Sequence, residues 1–528
     1  MVELEAVLDS AVAGLARNLD HDMDEWFRHM LAELPETLRI NPMRKDTALT
    51  TRMLKEMGGK PMQWFPGGLA FSMPWSRKCA PQEHRDIYAC LHDSGRTTRQ
   101  EAASMLPVIA LDPQPGEKVL DMCAAPGSKS TQISEMMNDT GVLVANDFSS
   151  ARLNTLTSNR GRLGLANMVL TKHDGRHFPA VPDPGFDAIL VDVPCSGSAT
   201  MRKNKHVWWE WKQQTGRAMM KLQKDILHRA CALLRPGGRL VYSTCSLDPL
   251  ENETVVNSTV EKLEYMELLP INTEKTFPGL LTRPGICNWK DEIINWDNPS
   301  LEGTIRLAPE DNDSGGFFLA LLHHHLDSEQ TARALTPRVA AKDMKEAQRF
   351  HNDPRLPSPA PEASILAIKK RWGIADDEGF SWWQRGKKIS ISTPQVREWL
   401  WDQQRTLKRR FIMAGGHWNP LNVIHAGSTA FQPSKDGIRP RSEALPLLSE
   451  KISVYTTVDD ELVALLLAEE EPLVDDVGIG KLQGYHLLRS AQVPVLPVWA
   501  GARLSLMINR AERKVLLAQA QMQAEDSS

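Results

Sequence analysis

The sequence has no CxxC pair, and its seven cysteines (Cys79, Cys90, Cys123, Cys195, Cys231, Cys245 and Cys287) are odd in number. That argues against a secreted disulfide framework and against a zinc ribbon, and it fits reduced cytosolic thiols. No apolar run reaches the roughly 18 residues of a membrane span. The N-terminal MVELEAVLDSAVAGLARNLDHD lacks a signal-peptide core. The expectation is a soluble cytoplasmic chain, nuclear if eukaryotic, with no membrane partner. Charge of one sign is also missing: Lys plus Arg is 62, Asp plus Glu is 66, and the net charge is −4. This excludes a uniformly basic coat or an extreme acidic tail, yet leaves room for local basic patches on nucleic acid. No internal repeat is visible.

What is present is length and alternation. At roughly 100–200 residues per domain, 528 residues make about three domains, long enough to bury cores without a metal or disulfide staple. Leu4 to Leu34 has helical apolar spacing, and Leu38 to Trp75 reads as a small α+β unit, so residues 1–80 are expected to form an N-terminal module. From Glu117, short apolar runs alternate with helical stretches, the pattern of a parallel α/β sheet. Strands are expected at Lys118–Cys123, Gly141–Asp147, Met168–Asp174, Phe186–Val193, Arg239–Thr244 and Phe317–Leu322. Helices are expected at Ser128–Met137, Ala151–Leu163 and Thr215–Leu234, with Arg235-Pro236-Gly237-Gly238 as a helix stop and turn. Residues 81–327 form this central unit. Residues 328–363, with HNDPRLPSPAPEA, have linker composition, and 364–528 read as a separate, mostly β unit.

The first strand runs into the small-residue turn Cys123-Ala124-Ala125-Pro126-Gly127-Ser128-Lys129 and then a helix start. Small residues let backbone approach a ligand at the carboxyl ends of the strands, and a helix N-terminus attracts negative charge. The turn is not GxGxxG, so dinucleotide phosphate binding is unsupported; a nucleoside ligand bearing a carboxylate fits better. Four acids, Asp121, Asp147, Asp174 and Asp192, end successive strands. Asp147 is placed for ribose hydroxyls and Asp174 for an adenine amino group; the plain alternative is that such acids cap the following turns.

Cys195 follows the fourth strand in VPCSG, and Cys245 follows the fifth in STCS. A lone cysteine is usually a small buried apolar residue. Two at neighbouring strand ends, beside the glycine turn, point to chemistry, for which the thiolate is the competent form. Zinc is a weak rival because no His or Cys lies near either one at ligand spacing, and His323-His324-His325 reads as loop. No metal is expected.

Taken in order, DMCAAPGSK, DVPCSG, TMRKN and YSTCS resemble the RNA cytosine-5 methyltransferases of the NSUN family, most closely its tRNA-modifying branch. The similarity runs from about Leu34 to Leu322 and includes Thr98 to Met105 and Gly315 to Phe318. It implies a Rossmann-like class I fold, S-adenosylmethionine as cofactor and a small N-terminal RNA-binding module. By the same resemblance Cys245 is the nucleophile that attacks C6 of cytosine and Cys195 assists product release. Cys123 to Lys129, Asp147, Asp174 and Asp192 correspond to cofactor positions. Asp192 either stabilises the adduct near N3 or only orients the cofactor.

After Cys195, basic and aromatic residues interleave from Thr200 to Lys212. Arg202, Lys203 and Lys205 are expected to face RNA while Trp208 or Trp211 packs. A second basic stretch holds Arg397, Arg405, Lys408, Arg409 and Arg410, and Asn422 to Gly427 suggests a PUA-like RNA-binding barrel. The expected function is tRNA cytosine-5 methylation by a monomer. The alternatives are an rRNA methyltransferase with the same chemistry, a catalytically silent RNA-binding assembly factor, or a small-molecule methyltransferase.

Overall fold

A computed structural model describes residues 2–290, 294–325, 356–375, 379–402, 405–407, 411–413, 418, 420–480, 482–491, 493 and 495–527. Most of the expected linker, together with Lys408, Arg409 and Arg410, lies outside the described residues.

The centre is a sheet whose strands are β1 (Lys118–Asp121), β2 (Val142–Asn146), β3 (Met168–Thr171), β4 (Phe186–Asp192), β5 (Leu234–Thr244), β6 (Ile305–Leu307) and β7 (Phe317–His324), in the order β6-β7-β5-β4-β1-β2-β3. The first five are mutually parallel, and β7 runs antiparallel to β5. The run from β1 to β2 to β3 goes one way and β4 to β5 the other, so the switch point lies between β1 and β4. This is the class I methyltransferase arrangement.

Both faces of the sheet are covered, which is why its strands read as continuous apolar runs. Successive residues point to opposite faces. Leu120, Val144 and Ile189 join Ile226 and Leu227 of the helix Gln213–Cys231. Val119, Leu143 and Leu190 join Ile133, Leu153 and Leu156 of the helices Ser128–Met136 and Ser150–Leu163. Between them, Gly127 adopts φ +109, and a Cβ there would lie 2.4 Å from Leu156 Cδ1. Glycine is therefore required where the turn meets the next helix.

Two local expectations differ from the structure. The fifth strand begins at Leu234, not Arg239: Phe186 pairs with Leu234 and Ala188 with Arg239, so Arg235 to Gly238 bulge out inside one strand. The single N-terminal helical pattern is two helices, Ala11–Asn18 and Met23–Leu31, separated by Asp20 at φ +54. Asp22 caps the second by accepting from the N–H groups of Asp24 and Glu25.

The flanking parts dock on this core. Pro35–Ile40 lies in a four-stranded sheet, and its buried Arg39 pairs with Glu135 and donates to Gln100 Oε1 at 2.6 Å. Beyond residue 356 a five-stranded and a four-stranded sheet follow. Val423–Ala426 adds an antiparallel strand to the exposed edge of β3, covering backbone groups that an edge would leave unpaired. The last helix, Arg510–Ser527, returns to the N-terminal module. There Val515 enters the core around Tyr88, and Glu512 takes Arg96 in a two-pronged ion pair at 2.7 and 3.0 Å. None of the helices among the described residues is long and apolar enough to cross a membrane.

Candidate active site

Parallel pairing of β4 with β5 sets Asp192 opposite Ser243, so the loops that leave the two strands emerge side by side. Cys195 and Cys245 meet there with their sulfurs 3.0 Å apart. Both are half-buried free thiols. The hydrogen bond with Cys245, reinforced by burial, pushes the Cys195 thiol well above its ordinary range. The two thiols share one hydrogen bond, for which either sulfur can be the donor. Burial, with Asp121 next in weight, likewise pushes up the thiol of Cys123 in the turn.

The glycine turn closes over the same rim. Ala124 N–H donates to Asn146 O at 2.7 Å, and Ala125 N–H to Asp147 Oδ2 at 3.2 Å, pinning the turn to the end of β2. Asn159 donates to Pro126 O at 2.8 Å, and Arg39 to Ser128 O at 3.1 Å. Lys129, in the first turn of the helix, reaches Asp192 Oδ2 at 2.8 Å, and Ser243 Oγ donates to Asp192 Oδ1 at 2.9 Å. Burial opposes the Lys129 charge. Asp192 outweighs it, with lesser help from Cys245 and Asp121, and the ammonium is held above its ordinary range. A cation thus stands within Coulombic reach of Cys245. Asp121 is buried, accepts from Ser130 Oγ at 2.6 Å, and leaves Oδ1 without a hydrogen-bond partner among the described residues. Burial raises its pKa to about 7. Asp174 is turned to its own loop: it accepts from Arg176 N–H at 3.0 Å and from the Arg176 guanidinium at 2.6 Å, and these bonds lower its pKa against a smaller opposing effect of burial.

Under the two cysteine loops lies a residue that the sequence reading did not single out. The Glu251 carboxylate is fully buried and accepts from Ser196 N–H at 2.8 Å, Ser246 Oγ at 2.6 Å and Gln223 Nε2 at 2.9 Å, as well as from Ser196 Oγ. It therefore ties the residue after Cys195 to the residue after Cys245. The only signal in the sequence is that the acidic run PLENE follows STCS.

The basic–aromatic stretch divides. Arg202 is interior: its guanidinium donates to Asp313 at 2.6 Å, Glu33 O at 2.9 Å and Ser314 O at 3.0 Å. The expectation that it faces RNA is corrected, because those acceptors from distant loops hold it inside. Lys203 is exposed and Lys205 partly so. Trp208 and Trp211 both pack, Trp208 against Trp26 and Phe27, while Trp209 is 55% exposed. His323 and His324 belong to β7 and are not loop; the side chain of His323 bonds Glu267 at 2.8 Å.

Residues 108–323 match the family model described as 16S rRNA methyltransferase RsmB/F. A multisite-specific tRNA:(cytosine-C(5))-methyltransferase of Saccharomyces cerevisiae is 29% identical over 86% of this chain and 77% of its own length. A ribosomal RNA small subunit methyltransferase F of Klebsiella pneumoniae is 32% identical over 81% of this chain and 83% of its own. A solved structure of NSun6 from Pyrococcus horikoshii with SFG overlaps 61% of this chain and 99% of that chain at 20% identity and TM-score 0.48, a looser likeness. The matched family uses S-adenosylmethionine, and the rim fits that donor. The unpartnered carboxylate oxygen of Asp121 suits a cationic ligand, and Asp147 supplies acceptors at the strand end where a ribose would lie. The chain belongs to the RsmB/F family of NSUN-like RNA cytosine-5 methyltransferases.

Proposed function

We propose that this chain methylates C5 of cytosine in tRNA through a covalent bond between Cys245 and C6 of the base. The observation that carries the reading is the pair of thiols 3.0 Å apart at the ends of β4 and β5, beside the Lys129–Asp192 ion pair. Cys123 to Lys129, Asp147, Asp174 and Asp192 would hold S-adenosylmethionine, which would supply an activated methyl group.

C5 of cytosine is a poor nucleophile. A Cys245 thiolate adding to C6 pushes the ring electrons toward C5, which would then bond the methyl carbon as that carbon's bond to the sulfonium sulfur breaks, leaving the electron pair on that sulfur. Nearby cations favour a thiolate, and Lys129 fills that place. Asp192, fixed between Lys129 and Ser243, either stabilises the adduct near N3 or the exocyclic amine or only orients the cofactor. Loss of the C5 proton then re-forms the C5–C6 double bond as the C6–S bond breaks and Cys245 leaves as the thiolate. Cys195, in contact with that sulfur, either takes the C5 proton itself or assists the departure. The target base leaves its stack to reach this rim, and Lys203, Lys205 and Trp209 offer charge and a ring face to the RNA around it.

The match to the yeast tRNA enzyme over 86% of the chain supports tRNA as substrate. The Klebsiella match favours the second reading, ribosomal RNA. Incubating purified protein with labelled cofactor and either tRNA or 16S rRNA transcripts separates them: the proposal requires label in tRNA at cytosine. Cys245→Ala abolishes transfer, and Cys195→Ala accumulates a denaturant-resistant protein–RNA adduct. Retained methylation in Cys245→Ala refutes the covalent role.

A further inference from the structure

The helix Ser150–Leu163 starts at the cofactor rim and runs back to the amino ends of the strands. At that far end, between the N-terminal module, this helix and the C-terminal sheets, lies a cavity of ≈ 1320 Å³. Its wall includes Arg160, Lys388, His425 and Glu443.

Arg160 is the unusual member. Its side chain is 3% exposed, yet Nε and Nη1 have no hydrogen-bond partner among the described residues. The nearest carboxylate, Glu443, stands 3.8 Å from Nη2, beyond hydrogen-bond distance. A buried charge left without hydrogen bonds is strongly unfavourable, so such a guanidinium is explained by a ligand that completes it. The surroundings have the same sign. His425 accepts from Arg385 Nη1 at 2.7 Å through Nε2. Burial, followed by Arg160, Arg385 and Lys388, pushes its pKa down to about 2. Three cations therefore face one neutral imidazole. The wall also carries acids: Glu512 and Asp46 hold Arg96 at 2.7 and 2.6 Å and Glu450 holds Lys45, with Asp93 as the remaining one.

We propose that this cavity binds a phosphate group, with Arg160 and Lys388 as its cationic ligands and His425 held neutral beside them. A guanidinium presents paired donors that match phosphate oxygens. The phosphate comes either from the backbone of an RNA strand or from a free phosphorylated compound. The site lies at the opposite edge of the sheet from the thiols and does not depend on their chemistry.

The test uses the full chain, inorganic pyrophosphate as the free probe, and a tRNA transcript. Calorimetry is expected to show pyrophosphate binding that weakens at least tenfold in Arg160→Gln and in Lys388→Gln. Lys388 is exposed, so its variant decides the matter if Arg160→Gln does not fold. A parallel loss of RNA affinity, with a salt slope reduced by about one, assigns the phosphate to RNA. Unchanged RNA affinity assigns it to a free compound. Wild-type protein that takes up no pyrophosphate, or folded variants that bind it as tightly as wild type, overturn the proposal. Cys245→Ala binds pyrophosphate normally, so a failure of the methylation reading leaves this result standing.

Discussion

Replacing Glu251 tests whether the two cysteine loops act as one unit. Its carboxylate receives four donors from Ser196, Ser246 and Gln223 and is fully buried. In Glu251→Gln one acceptor oxygen becomes an NH2 that only donates; placed at Oε2 it leaves Ser196 N–H and the Gln223 amide without an acceptor, and placed at Oε1 it forces the two serine hydroxyls to turn. Leaving a buried donor unsatisfied costs about 1–3 kcal/mol, more where the lost acceptor is charged. The melting temperature is expected to fall accordingly. The larger effect is on geometry. The loops carrying Ser196 and Ser246 are free to part, and a displacement of about 1 Å in a reacting group costs on the order of 10²-fold in rate. The measurement is single-turnover transfer of labelled methyl to tRNA, alongside equilibrium binding of cofactor. A kcat lowered by about 10²-fold, with cofactor affinity unchanged, is expected because Asp121 and Asp147 make no contact with Glu251. A folded Glu251→Gln protein with wild-type kcat refutes the idea that this carboxylate positions the thiols.

Asp121 gives a pH prediction. Its pKa rises on folding from 3.8 to about 7, chiefly through burial. The native state thus binds a proton that the unfolded chain has released, and stability contributed below pH 4 is lost as pH rises through 7. That shift corresponds to roughly 4 kcal/mol. In cofactor-free protein, Asp121→Asn flattens the decline of melting temperature between pH 4 and 7; an unchanged slope contradicts the assignment. Arg202→Met removes a buried cation from Asp313 and three backbone carbonyls and, by leaving buried acceptors unpaired, is expected to lower stability by about 1–3 kcal/mol without changing the salt dependence of RNA binding. Lys203→Gln does the reverse: denaturant midpoints stay put, while the slope of log affinity against log salt falls by about one.

The strands were readable where local rules decide them. β1 to β5 are short apolar runs bounded by turn residues, and burial on both faces of a parallel sheet makes that pattern. Legibility failed where distant chain decides. Arg235 to Gly238 has the composition of a helix stop, yet Phe186 and Ala188, more than forty residues earlier, select a bulge within a strand. The strand Val423–Ala426 pairs with Thr171, Leu170 and Val169, a register that no local periodicity encodes, and it places chain from beyond the expected linker on the catalytic sheet itself.

The site divides along the same line. Cys195 and Cys245 were legible because each follows an apolar strand, and parallel pairing of neighbouring strands brings their ends together. Arg202 and Lys203 are adjacent and equally basic in the sequence. Their fates differ because Asp313, Ser314 and Glu33 converge on one guanidinium, and no reading of TMRKN contains those partners. Glu251 shows the converse. An acid six residues beyond Cys245 reads as a solvated loop, but the four donors converging on it turn it into the joint between two strands. The chemistry rests on residues that the motifs display, whereas the spacing of those residues rests on buried polar groups that only the folded chain assembles. The two thiols are therefore expected to stay in contact in any folded variant that preserves Glu251, Ser196 and Ser246, and to separate in one that does not.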